Sequence, residues 1–135
     1  MSNFEELIVW QECRKFRNDV DELVKKFPPE EKYRLTDQLL RSSRSITAQI
    51  AEGHGRFHYQ ENIQYCWQAR GSLAESLDHL ICAHDSKYMS DEELKRFRTQ
   101  YTKCYKLLNG YISHLNTEKE KNKIDKPISK KLINP

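Results

Sequence analysis

Four glycines and four prolines in 135 residues leave this chain little with which to turn hairpins or build long linkers, and its apolar residues recur at steps of three and four. That combination predicts one all-α domain. Phe4, Leu7, Cys13, Phe16, Val20, Leu23, Val24 and Phe27 form the first such series, which predicts a helix from about Phe4 to Lys26, stopped by Pro28 and Pro29. Pro29 suits the first turn of a second helix, where Glu30 and Glu31 complement the positive dipole end and Leu35, Leu39, Ser42, Ile46 and Gln49 continue as a heptad-like seam. Ser42, Ser43, Ala48 and Ala51 keep that helix slim, which places it centrally. A third helix carries Ile63, Cys66, Leu73, Leu77 and Leu80 on one stripe and Trp67, Ala74, Ile81 and Tyr88 on an adjacent one, so it needs two sets of neighbours. Ser90 to Glu93 reads as a capping box opening a fourth helix through Leu94, Phe97, Tyr101, Cys104, Leu108, Tyr111 and Leu115.

The expected architecture is an up-down-up-down four-helix bundle over residues 1–118. Beyond Glu118 the periodicity stops, and residues 119–135 read as a basic, disordered tail. Net charge supports the division: the tail holds six Lys against Glu120 and Asp125, a net +4 that leaves −1 on the body of a +3 chain. Hydrophobic residues make up only 37% of the chain and mean hydropathy is −0.90, so a lone bundle buries a thin core and self-association is expected. No apolar run reaches the roughly 18 residues of a membrane span, and the N-terminus lacks a signal-peptide pattern, so the protein is expected in the cytoplasm. Cys13, Cys66, Cys82 and Cys104 form no CxxC pair and read as buried, reduced thiols.

The stretch Glu52-Gly53-His54-Gly55-Arg56 concentrates functional residue types. It follows a helix and lacks a GK[ST] ending, so it is not a phosphate-cradling loop. His54 and His58 straddle a glycine and do not share a helical face, which argues against a metal. His84, Asp85 and Ser86 are consecutive and point about 100° apart, too divergent for a catalytic relay. Helical-bundle ribonucleases place a His four to six residues beyond an Arg, and none of the nine arginines has one there. The cheapest reading is a helical hairpin in which one glycine supplies a left-handed cap and the other lets the chain reverse. Around it Arg41, Arg44, Glu52, Arg70 and Glu75 fall near the seam of helices two and three, where charges need partners. An Arg–Glu network fixing register is expected, with Glu52 partly buried against Arg44 or Arg70. The alternative is direct ligand binding.

These residues also carry a resemblance. FEELIVWQECRKF, FPPEEKYRLTDQLLRSSRSITAQIAEGHGR and QARGSLAESLDHL, spanning about residues 4 to 116, are similar to the bacterial four-helix-bundle family first known as intervening-sequence proteins, encoded inside inserts of 23S ribosomal RNA genes. Phe27-Pro28 with Glu31 and Tyr33, Gln38-Leu39, Ser45-Ile46, Ile50 to Gly53 with Arg56, and Gly71 to Leu73 with Glu75 are its most specific pieces. Gln49 stands where the family usually has Asn, and Ser42 and Ser43 where it usually has Ala. The resemblance implies a homopentamer of bundles without an established enzymatic activity. In architecture it also looks similar to the accessory proteins of diversity-generating retroelements, pentamers that bind a reverse transcriptase and nucleic acid.

No convergent acid, base or nucleophile appears at usable spacing, so a non-catalytic protein without cofactor or metal is expected. The first expectation is RNA or other nucleic acid held by weak, repeated phosphate contacts from Arg41, Arg56, Lys119, Lys121 and Lys123. The second is a scaffold for a protein partner such as a reverse transcriptase. Gly53 and Gly55 join Arg44, Glu52, Arg70 and Glu75 as expected structural residues.

Overall fold

The computed structural model describes residues 3–133, with side chains through Lys123. Four helices follow one another, α1 (Ile8–Val24), α2 (Leu35–His54), α3 (Tyr59–Asp85) and α4 (Asp91–Ile133), with no strand among the described residues. Cross-helix bonds show how they run. Arg17 meets Thr47 and Asp21 meets Arg44 between α1 and α2; Ser42 meets Ser76 and Ser45 meets Ser72 between α2 and α3. Glu12 and Asp19 of α1, and Lys26 just beyond its end, meet Lys103, Gln100 and Glu93 of α4. In each pair the numbers fall on one helix as they rise on the other, so neighbours are antiparallel and the bundle is up-down-up-down.

The core follows the sequence stripes: Phe16, Leu39, Ile46, Ile50, Ile63, Leu73, Leu80, Phe97 and Leu108 are fully buried. Phe16 and Phe97 meet edge to face at 6.0 Å, pinning α1 to α4. The closest seam joins α2 to α3, and it is lined with small residues. Ser42 accepts a hydrogen bond from Ser76 at 2.8 Å and Ser45 lies 2.9 Å from Ser72, so hydroxyls that alanine would lack bond across the seam. Gly53 completes it. A β-carbon there would lie 2.7 Å from Asn62 Oδ1 and 2.8 Å from Tyr65 Cβ, so the helices could not approach this closely with any other residue.

Several expectations give way. The first helix does not start at Phe4: Asn3 accepts the Glu5 amide and makes a 3-10 turn, and extended Leu7 swings Phe4 onto Trp10 at 5.2 Å before α1 begins. Pro29 opens another 3-10 turn rather than α2. There Glu31 serves as a clasp, accepting from the Leu35 amide at 3.5 Å and from the Tyr88 hydroxyl at 2.9 Å. Neither corner glycine is left-handed, since no glycine among the described residues has positive φ. The left-handed residue is Lys87, φ 66°, where Tyr88 N–H reaches back to Ala83 and Lys87 N–H to His84 to close α3. Finally, α4 runs on through Lys119, Lys121 and Lys123 instead of ending at Glu118. No Gly or Pro interrupts residues 111–126, and Lys121–Glu118 at 3.5 Å and Lys123–Glu120 at 3.7 Å are the spacing that supports a solvated helix. The basic side chains beyond Lys123 and residues 134–135 lie outside this description.

The cysteines are free, and Cys82 is exposed while the other three are buried. Contact with Cys104 and burial push the Cys13 thiol far up, and burial raises Cys66 to about 12. Those two are packing groups, not nucleophiles.

Candidate nucleic-acid interface

From Leu94 to Thr117 the sequence holds Lys95, Arg96, Arg98, Lys103 and Lys106 and no Asp or Glu. Folded into α4, steps of three and four bring most of these to one side. Lys95, Arg98, Thr99, Thr102, Lys103 and Lys106 line an open trough of about 480 Å³. Lys103 is held by Glu12 at 3.4 Å. Arg96 lies over the Phe97 ring at 5.7 Å. Lys95, Arg98 and Lys106 make no ion pair among the described residues. Exposed cations on a rigid helix, without carboxylates between them, are suited to a polyanion rather than to a small molecule needing enclosure. Sequence reasoning missed this face because it weighed net charge by segment: the acids of Asp91 to Glu93 and of α1 to α3 cancel the basic run in the total.

A second cationic region lies where the α2–α3 corner meets α4. Two hollows flank Phe57, His58 and Tyr59. One, about 370 Å³, adds Gln60, Lys119, Asn122 and Lys123. The other, about 360 Å³, adds Leu7, His54, Arg56, Asn62, Tyr111, His114 and Leu115. Neither has a carboxylate in its wall. Tyr111 closes the second hollow, lying 3.4 Å from His54 Nδ1 and accepting from Asn62 Nδ2 at 3.2 Å. Its burial raises the phenol's pKa, so it stays protonated.

The residues singled out from sequence are dispersed. Arg56 sits at the corner but is engaged: it donates to Tyr65 OH at 2.6 Å, stacks over that ring at 5.0 Å, and faces Glu52 at 3.6 Å and Glu61 at 3.8 Å. Lys119 bonds Gln60 and joins Lys123 at the corner hollow. Lys121 faces another side, in a groove with Arg70 and Asn109. Arg41 pairs with Asp37 at 3.5 Å, about 20 Å along α2 from His54 at its corner end. The expected Arg–Glu network does not form. Glu52 is exposed, because Ile50 and Gly53 turn the seam face of α2 away from it; Arg44 instead meets Asp21 at 3.6 Å, Arg70 donates to Asn109 at 2.8 Å, and Glu75 meets His79 at 3.1 Å. Gly53 is buried in the seam, and Gly55 is the cap of α2 with ordinary helical φ. Among the described residues no group of three His, Cys, Asp or Glu is placed to hold a metal, and no helix is long and apolar enough to cross a membrane.

A family model described as "23S rRNA-intervening sequence protein" matches residues 5–110. The chain belongs to this family. Within the matched span, Glu31 clasps the start of α2, and across the α2–α3 seam Ser45 meets Ser72 and Gly53 admits α3. The fold is similar to the crystal structure of a protein of unknown function from the S23 ribosomal protein family of Bacteroides thetaiotaomicron VPI-5482, with TM-score 0.72 and 24% identity over 78% of this chain and 96% of that one. No curated protein matches the sequence significantly.

Proposed function

We propose that this protein is a non-catalytic, homo-oligomeric four-helix bundle that binds RNA through multiple weak phosphate contacts. The observation that supports the reading is a face to which α4 brings no carboxylate of its own, with Lys95, Arg98 and Lys106 without an ion pair among the described residues and Thr102 and the Glu12-paired Lys103 beside them. The family's description, which ties its members to 23S ribosomal RNA inserts, agrees with this polarity of partner. Phosphate contacts fix position without reading bases, so sequence preference is weak. Assembly multiplies the face, as the homopentamer implied by family resemblance would. Each added phosphate contact steepens the dependence on salt, with a slope of about −0.7 to −0.9 per phosphate neutralised.

Filter binding of structured RNA at two salt concentrations tests this. Replacing Lys95, Arg98 and Lys106 together with Gln should weaken binding at least tenfold across unrelated sequences and flatten the salt slope by about three contacts' worth per engaged subunit. All three side chains are exposed, so the fold should be unaffected. An unmodified protein that binds no RNA at low salt would sink the reading and leave the protein-scaffold role, with the same face meeting an acidic partner such as a polymerase.

A further inference from the structure

Phe57 is 91% exposed, the most exposed large hydrophobic side chain of the described residues. Such a ring in water is unfavourable, and nothing among the described residues requires it there: Phe57 lies outside both α2 and α3 and meets the His58 ring edge to face at 5.0 Å. Its surroundings are specific. Tyr59 is 37% exposed beside it. The hollow on one side has Lys119 and Lys123 in its wall, and the hollow on the other has Arg56, His54 and His114. An open aromatic ring beside two lysines, above hollows whose walls hold no carboxylate, is the arrangement that holds an unpaired nucleotide, the ring taking the base and the ammonium groups its phosphates. A second copy of the same end would bring like charges together, which disfavours a symmetric protein contact.

We propose that the α2–α3 corner is a stacking site for one unpaired nucleotide of bound RNA, with Phe57 stacking on the base and Lys119 and Lys123 holding the adjoining phosphates. The site rests on the nucleic-acid reading but differs from the α4 face in what it selects. Helical RNA keeps its bases stacked internally and offers none to Phe57; a loop or single-stranded end does. The α4 face accepts both. Lys119 already orients toward the corner through Gln60, and Lys123 is restrained by Glu120 only at 3.7 Å, with both side chains well exposed, a contact that phosphate can displace.

The test measures Phe57→Ala against the native protein on two labelled probes, a single-stranded RNA and the blunt duplex it forms with its complement. The variant should lose about tenfold in affinity for the single strand, the usual scale for one stacked base, and keep its affinity for the duplex. Phe57→Trp should restore the single-strand binding. Equal effects on the two probes, or none on either, would overturn the site. Light scattering of Phe57→Ala should give the native mass; a smaller particle would make Phe57 a subunit contact and also overturn it. Duplex binding with an indifferent Phe57→Ala removes the stacking site alone. Failure of the native protein to bind either probe at low salt removes the nucleic-acid reading and the stacking site together.

Discussion

Gly53 leaves no room for a methyl group. A β-carbon there would meet Asn62 Oδ1 at 2.7 Å, Tyr65 Cβ at 2.8 Å and the Asn62 carbonyl at 3.1 Å, and two of those three atoms lie close to the α3 backbone, where they cannot swing aside. Gly53→Ala should therefore destabilise the bundle by about 1–3 kcal/mol through overpacking, although alanine's better helix propensity offsets roughly 1 kcal/mol of it. Urea unfolding should show a lower midpoint with an unchanged slope; an unchanged midpoint would mean that the seam opens at little cost. The sequence marked this glycine as special but for the wrong reason. Glycine is rare enough here to signal a constraint, yet composition does not distinguish a left-handed turn from a close helix approach. The left-handed position went to Lys87, a residue with no such signal. Glu52 was misjudged likewise, since being next to a buried glycine on a helix means pointing about 100° away from it.

At the scale of one element, α4 shows both what periodicity reveals and what it hides. Its start was fully legible: Glu93 N–H donates to Ser90 Oγ at 3.1 Å and Ser90 N–H to Glu93 Oε1 at 3.0 Å, the reciprocal cap that S-D-E-E encodes. Its end was not, because a solvated helix of Lys and Glu needs no apolar stripe. Its basic face was also missed, since the stripe reveals only the buried side. Glu93 also couples the cap to α1. Its bond to Lys26, then the Ser90 amide, hold the carboxyl below its ordinary value of 4.5. A group whose pKa is depressed by folding stabilises the native state fully above its unfolded value and loses that contribution as pH falls through the folded one. Glu93→Gln should thus be less stable than the native protein at neutral pH, and the gap should close as pH falls below 4.5. Paired thermal melts across that range measure it. A gap that persists in acid would show that shape rather than charge holds the cap.

For the whole molecule, the core was legible because burial imposes the three-and-four spacing, whereas an assembly surface is written in residues that look like ordinary exposed ones. On the outer side of α3, Trp67 is 47% exposed, Ala74 is exposed, and a β-carbon added at Gly71 would meet nothing within 4 Å. Within one chain, a glycine there only weakens the helix, by about 1 kcal/mol relative to alanine. It makes physical sense where another subunit lies flat against it. Gly71→Gln, neutral and bulky, should leave the single bundle as stable as before or slightly more so, while dividing the assembly. Light scattering should give five times the 16.1 kDa chain for the native protein and a smaller particle for the variant, with unchanged helical circular dichroism. Binding should change with it. If the proposed assembly lets several α4 faces engage one RNA at high effective concentration, separating them should lower affinity by about 100-fold and flatten the salt slope, although no contact residue has been altered. A smaller particle that binds RNA as tightly would place all the binding in one subunit, and an unchanged mass would move the subunit contact away from α3.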